Sequence, residues 1–359
     1  MEMKKKVIVA MSGGVDSSTT AALLKEQGYD VSGITMQLWD YAEEESGCCS
    51  LSDVFDARQA ANQIGIEHTV VDYKEDFQKY VVKDFIDKYY CGQTPNPCIM
   101  CNEHMKFNFL LNKSLEMGAD FLATGHYAKI SKNNNGIFFL EKGKDKFKDQ
   151  SYFLFTLSQK ELSRLMFPLG ALTKKEVREI SEGFELSVAS KKDSQDVCFI
   201  AKDYRGFVEK NLPGFSPKLG YIRSLNGEVL GIHSGIHNFT IGQRKKLGLN
   251  SLKALYVVSI DFQNNDVIVG DKDDLYSKVL FANNLNWTVD PNQLIEKKIE
   301  AKIRYRSPES TASIRFIDDR LHVSFDEAQR SITPGQAIVF YEEDKVLGGG
   351  WIDEVCREN

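Results

Sequence analysis

The segment that most constrains this chain runs Lys6-Val7-Ile8-Val9-Ala10-Met11-Ser12-Gly13-Gly14-Val15-Asp16-Ser17-Ser18. An apolar strand, two glycines and a helix start in immediate succession make a recipe for an anion site. The glycines permit positive φ and let the backbone approach a phosphate closely. The helix start offers unpaired N–H groups and the positive end of the helix dipole. Asp16, Ser17 and Ser18 add oxygen groups for Mg²⁺ or phosphate. The Gly-Lys-Ser/Thr ending of a Walker loop is absent, and so is the dinucleotide spacing Gly-x-Gly-x-x-Gly. The plainer reading is a tight strand-to-helix turn with Asp16 as cap. Two glycines and three hydroxyls exceed what a cap requires, so phosphate binding is the expectation.

The loop opens a repeating pattern. Lys6 to Met11, Val31 to Met36, Thr69 to Asp72 and Phe121 to Thr124 read as buried strands. Asp16 to Gln27, Ser52 to Ile64, Phe77 to Tyr90 and Phe107 to Met117 read as helices between and around them. This alternation predicts an α/β domain with a parallel sheet covered on both faces, and ligands at the carboxyl ends of the strands. Ser158 to Gly183 reads as helical, with capping boxes at Ser158 and Thr173. After about Pro213, turn signals replace helical periodicity. Asn226-Gly227, Asn264-Asn265, Asp318-Asp319 and Glu342-Glu343-Asp344 each separate two short apolar runs. Hairpins of this kind predict a small β-rich domain followed by a β-barrel. The expected boundaries are 1–205, 206–275 and 276–359.

A length of 359 residues suits two or three domains. No run reaches the about 18 apolar residues of a membrane helix, and no signal peptide precedes the glycine loop, so a cytoplasmic protein is expected. The net charge of −6 argues mildly against non-specific nucleic-acid binding, although a local basic surface can still recognise RNA.

Seven cysteines are too few for a disulfide scaffold. Cys98 and Cys101 follow Thr94-Pro95-Asn96-Pro97, whose prolines predict a rigid, extended loop ahead of the thiols. A single C-x-x-C pair leaves a nucleophile, a metal site and an iron–sulfur site all open. Cys198, between Val197 and Phe199, reads from residue type alone as a small buried hydrophobe. Lys191 and Lys192 are candidate cations for lowering a thiol pKa. Cys48, Cys49, Cys91 and Cys356 carry no assigned role.

Ser12 to Ser18 resembles the PP-loop of ATP pyrophosphatases, enzymes that split ATP between the α and β phosphates and adenylate a substrate oxygen. Further segments resemble the tRNA-specific 2-thiouridylases: Thr94 to Pro97 with Cys101-Asn102 and Lys106-Phe107, Ala123 to Ala128, Lys148 to Phe153, and Ser194 to Phe199. Gly235-Ile236-His237, Phe239 to Arg244, Arg304-Tyr305-Arg306 and Thr333 to Gln336 extend the likeness, which spans residues 5 to 352. It implies a Rossmann-like, adenine nucleotide alpha hydrolase-like fold for the first domain.

The implied activity is ATP- and Mg²⁺-dependent thiolation at C2 of the wobble uridine of tRNAs for lysine, glutamate and glutamine. Cys198 would carry a persulfide delivered by a sulfur-relay protein or cysteine desulfurase. Cys101 would be the nucleophile that closes a transient Cys101–Cys198 disulfide. Ala10, Met11, Ser12, Gly13, Gly14, Val15, Asp16, Ser17, Met36 and Gly125 would bind ATP. Asn96, Pro97, Cys98, His126, Lys148, Asp149, Gln150, Arg304, Tyr305 and Gln336 would bind tRNA. One departure stands out: many family members have Asp where this chain has Cys98. Three thiols at Cys98, Cys101 and Cys198 are also a ligand set for an iron–sulfur cluster. Two rival classes stay open on the sequence. One is a PP-loop enzyme that uses ammonia as nucleophile, and the other is a non-catalytic RNA-binding module.

Overall fold

The computed structural model describes residues 4–39, 51–193, 197–200, 203–212, 214 and 216–357. Cys48, Cys49 and Ser194-Gln195-Asp196 lie outside the described residues. The chain forms two compact units. One comprises residues 1–81, 97–202 and 344–346, the other 82–96, 203–343 and 347–359.

The first unit is built on a five-stranded sheet. Its strands are β1 (Lys6–Ala10), β2 (Asp30–Gln37), β3 (His68–Asp72), β4 (Phe121–Ala123) and a two-residue strand, Leu165–Met166. All neighbours pair in parallel, in the order β3-β2-β1-β4 and then Leu165–Met166. Val7, Ile8 and Val9 are fully buried, the continuous apolar run that a doubly covered parallel strand needs. The order reverses between β1 and β4. In open α/β sheets the crevice beyond the carboxyl ends at such a reversal is where ligands bind.

Helix α1 (Val15–Glu26) follows β1 after four residues. Its Ser, Thr and Ala positions are buried almost all round, and small side chains allow this close packing. Helix α2 (Leu51–Ile64) packs Ala57, Ala60 and Ala61 into the same core as Val7, Val9 and Leu24.

Two local expectations are corrected. Pro97 opens a helix: residues 97–116 are continuously helical, and Cys101–Leu110 winds as a π-helix. The non-helical stretch ahead of the thiols therefore ends at Asn96, and Cys98 and Cys101 sit on the helix. Proline is well placed in a first helical turn, where its missing N–H costs no hydrogen bond. Ser158 to Gly183 is not one helical stretch either. Both capping boxes form, but Leu165–Met166 between them joins the sheet edge.

The second unit carries the β-rich half. Helices Lys83–Tyr90 and Tyr204–Asn211 pack through Tyr89 stacked on Tyr204 at 4.4 Å. A four-stranded sheet holds the strands Gly220–Ser224, Val229–His233, Tyr256–Asp261 and Asp266–Gly270. Six further strands between Tyr276 and Cys356 close into a barrel, because the first, Tyr276–Trp287, pairs with the last, Lys345–Cys356. Leu280, Ile299, Val323 and Phe340 fill its interior.

Candidate active site

The crevice at the reversal point is a real cavity of about 370 Å³ within the first unit. Seven segments line it: Phe77 with Val81 and Gln150 with Phe153 complete a wall whose other five segments each arrive there for a local reason.

The first is the glycine loop. Gly13 has φ +70°, and a Cβ there would lie 2.1 Å from the carbonyl oxygen of Asp53. Gly14 is the N-cap of α1 and makes no side-chain cap, so the first-turn N–H groups receive no acceptor from that position. Ser12 N–H donates to Ser17 Oγ at 3.1 Å, and Ser17 Oγ donates to Gly14 O at 3.2 Å. Ala10, Met11, Ser12, Asp16 and Ser17 line the cavity; Gly13, Gly14 and Val15 shape the loop behind them.

The second and third segments end β2 and β4. Met36 contributes an apolar wall, and Thr124, Gly125 and His126 follow β4. Gly125 presses on the start of α1: a Cβ would come within 3.0 Å of Ser17 N. His126 is buried, with Nδ1 2.7 Å from Thr124 Oγ1 and Nε2 3.5 Å from Lys106 Nζ. Burial, and then the Lys106 charge, hold its pKa well below the usual imidazole value. The ring is neutral, and with the Lys106 ammonium at Nε2 its proton belongs on Nδ1.

The fourth segment is the helix over 97–116. Its cavity-facing residues are Pro97, Cys98, Cys101, Asn102, Lys106 and Leu110. Their spacing is wider than the 3.6 residues of an α-helical turn. The π-winding from Cys101 explains it and brings Lys106 to the same wall as Cys101. Lys106 Nζ donates to Asn102 Oδ1 at 2.9 Å, and Asn102 Nδ2 donates to Phe153 O at 3.1 Å.

The fifth is the turn at Val197-Cys198-Phe199. Phe199 is the buried member, packed edge-on to Phe77 at 5.5 Å. Cys198 is half-buried on the cavity wall. Residue type alone suggested the opposite, a buried Cys198. The ring, not the thiol, anchors this turn. Cys101 and Cys198 are both thiols lining one cavity, and Cys98 is an exposed thiol on the same wall. Among the described residues no group of three His, Cys, Asp or Glu side chains is placed to hold a metal ion.

An ion-pair network that the sequence did not reveal backs the loop. Lys174 Nζ donates to both oxygens of Asp16, at 2.8 and 2.9 Å, and pairs with Asp193 at 2.8 Å. Tyr127 OH donates to Asp16 at 2.7 Å, and burial plus that carboxylate raise the phenol's pKa. Lys148 and Arg178 also hold Asp193, at 2.7 and 2.9 Å. Burial pushes the Asp193 pKa up, but the Lys148 and Lys174 ammonium groups outweigh it and bring it down to about 2. Lys191, a candidate for activating a thiol, instead donates to Gly13 O at 3.0 Å and pairs with Asp53 and Asp56.

The sign of the Asp193 shift gives a prediction. A depressed carboxylate pKa stabilises the fold above its unfolded value and loses that contribution as pH falls through the folded one. Asp193→Asn is expected to destabilise by about 1–3 kcal/mol at neutral pH. Thermal melts should show the gap to wild type closing between about pH 4 and pH 2; a gap independent of pH would contradict the assignment.

The expected RNA contacts divide. Gln150 lines the cavity and its Oε1 accepts from Tyr127 N–H at 3.0 Å. Asp149 is buried, and its carboxylate accepts from Gly143 N–H, Ser151 N–H and Ser151 Oγ. It is a loop staple, not an outward contact. Lys148 is paired with Asp193. In the second unit Asn96 is buried, and Gln336 Nε2 donates to the carbonyls of Thr94 and Pro95, both at 2.9 Å. Arg304 and Tyr305 are half-exposed in the turn after Ile299–Lys302, with Arg304 donating to the Arg330 carbonyl. No described helix is long and apolar enough to cross a membrane.

Comparison with known proteins agrees with this architecture. Residues 5–202 match a family model described as a tRNA methyl transferase HUP domain. Residues 205–271 match a tRNA methyl transferase PRC-barrel domain, and 277–352 an aminomethyltransferase beta-barrel domain. The tRNA-specific 2-thiouridylase MnmA of Geobacter metallireducens is 48% identical, over 99% of this chain and 98% of that protein. Its namesake in Halothermothrix orenii is 47% identical over 97% and 99%. A solved 4-thiouridine synthetase–RNA complex with bound ATP aligns at 20% identity over 55% of this chain and 45% of that one, with a TM-score of 0.38, too slight a likeness to bear on the site. Matched along nearly its whole length by 2-thiouridylases, and over residues 5–202 by the HUP-domain model, the chain belongs to the tRNA-specific 2-thiouridylase family.

Proposed function

We propose that this protein is an ATP-dependent sulfurtransferase that converts the wobble uridine of tRNAs for lysine, glutamate and glutamine to 2-thiouridine. One observation carries the reading: an uncapped phosphate-type loop and two thiols, Cys101 and Cys198, line the same cavity. A nucleotide-binding module alone needs no thiols there, and an ammonia-using relative needs no pair of them.

The chemistry follows from leaving groups. Uracil O2 leaves poorly, and its adenylation makes AMP the leaving group. The N–H groups of residues 13–17 and the α1 dipole hold the phosphates, with Met36 against the adenine. The Ser12 and Ser17 hydroxyls would hold Mg²⁺ beside the phosphates, where the ion would supply charge neutralisation; Asp16 is engaged by Lys174 and Tyr127. Pyrophosphate departs as O2 takes the adenylyl group. The terminal sulfur of a Cys198 persulfide then attacks C2, and AMP leaves. The Cys101 thiolate attacks the Cys198 sulfur, which releases 2-thiouridine and closes a Cys101–Cys198 disulfide. An external thiol reductant resets the pair, and an upstream sulfur-relay protein or cysteine desulfurase reloads Cys198.

Because the adenylated atom belongs to the RNA, turnover of ATP depends on it. Incubation with radiolabelled ATP is expected to release pyrophosphate and AMP only when tRNA is present. Release of ADP, or turnover that ignores tRNA, would contradict the reading.

A further inference from the structure

The lysine-rich loop over residues 143–150 is pinned along its length. Gly143 N–H donates to Asp149 Oδ1 at 2.9 Å, and Lys144 N–H to Gly170 O at 2.8 Å. Asp145 accepts from Phe147 N–H and Lys174 N–H, both at 3.0 Å. Gln150 N–H closes the loop on Tyr127 O at 2.9 Å. Two of its ammonium groups are already used: Lys144 on Glu176 and Lys148 on Asp193, each at 2.7 Å. The tip differs. Lys146 is exposed, with no hydrogen bond or ion pair among the described residues. Phe147 is 95% exposed, the most exposed aromatic ring among them.

An apolar ring held in water by a fixed loop has no packing role in the fold. Beside a solvent-facing ammonium it forms a stacking platform with a phosphate contact, the pair of features that binds single-stranded RNA. Because the loop is ordered beforehand, docking does not pay to order it. Gln150 lines the cavity three residues away, and three residues span at most about 10 Å.

We infer that Lys146 and Phe147 form a tRNA contact in which the Phe147 ring stacks on a base close to the reacting uridine and Lys146 meets the adjoining phosphate. The inference rests on the function proposed above. It also narrows the lysine cluster to a single ammonium available at the tip.

The test is the Kd of unmodified tRNA measured across a salt series for the full-length protein. Phe147→Ala should weaken binding about 5- to 100-fold, leave the salt slope unchanged and leave the melting temperature unchanged. Phe147→Trp should restore affinity. Lys146→Ala should flatten the slope of log K against log salt by about 0.7–0.9. If wild type binds and Phe147→Ala binds equally well, the inference falls and the function stands. If wild type does not bind tRNA, both fall.

Discussion

Replacing Cys198 with serine is expected to reduce sulfur transfer to tRNA below detection while leaving tRNA-dependent ATP–pyrophosphate exchange in place. The expectation follows from the division of the cavity wall. The groups assigned to ATP come from β1, α1, β2 and β4, whereas Cys198 arrives on a separate turn held by Phe199 against Phe77. Serine keeps the volume of cysteine closely and cannot carry a persulfide. Adenylation therefore proceeds and waits for a nucleophile that never comes. The Cys101→Ser variant should stop one step later, with tRNA attached through sulfur to Cys198 and released by added thiol. Gel-shift with and without reductant distinguishes the two variants. Wild-type thiolation by Cys198→Ser would remove this thiol from the mechanism.

Gly13→Ala is expected to lower tRNA-dependent ATP turnover about 100-fold or more, since displacing a reacting group by about 1 Å already costs that much. Two costs coincide at this residue. The φ of +70° is a conformation that costs an L-residue about 1–2 kcal/mol. The new Cβ would also lie 2.1 Å from the Asp53 backbone oxygen, which a side-chain rotation cannot relieve. Loop or helix must shift, and the phosphate-facing N–H groups shift with it. Gly14→Ala is the internal contrast. Its backbone is extended, and its Cβ meets Ser12 Oγ at an ordinary 3.6 Å. That variant should keep the loop geometry, so any loss of ATP affinity measures how closely a phosphate approaches residue 14. Equal turnover by Gly13→Ala and wild type would show that the loop does not hold the phosphates.

Much of this architecture is legible in the sequence because its signals are local. The strands of the parallel sheet are unbroken apolar runs such as Val7-Ile8-Val9. The hairpins of the second unit announce themselves through residues that tolerate positive φ: Asn265, Asp318 and Asp319 all adopt it. The capping boxes at Ser158 and Thr173 both form. The misreadings arise where distant partners decide. Leu165–Met166 is too short to show a period and becomes a strand only because β4 lies beside it. The hairpin Ala128–Lys132 with Phe138–Lys142 hides in a segment of mixed polarity, although Asn135-Gly136 marks its turn.

The motifs of the candidate site stand out in the sequence, and its wiring does not. The loop, Cys101, Cys198, Gly125 and His126 line one cavity. No sequence rule couples Asp16 to Lys174 across 158 positions, or turns Lys191 toward Asp53 and away from a thiol. Nor does residue type show that Asp149 is buried while Phe147 is exposed. The π-winding from Cys101 was equally hidden, because it changes which residues share a face without changing the composition of the helix.

The central claim is that the loop and the two thiols serve one reaction on RNA. Mass spectrometry of nucleosides from tRNA incubated with the protein, ATP and a persulfide donor tests it most directly. The predicted result is 2-thiouridine at the wobble position, formed only when ATP is present and absent with Cys198→Ser. Recovery of unchanged uridine from the wild-type reaction, with pyrophosphate release confirming that ATP was turned over, would contradict it.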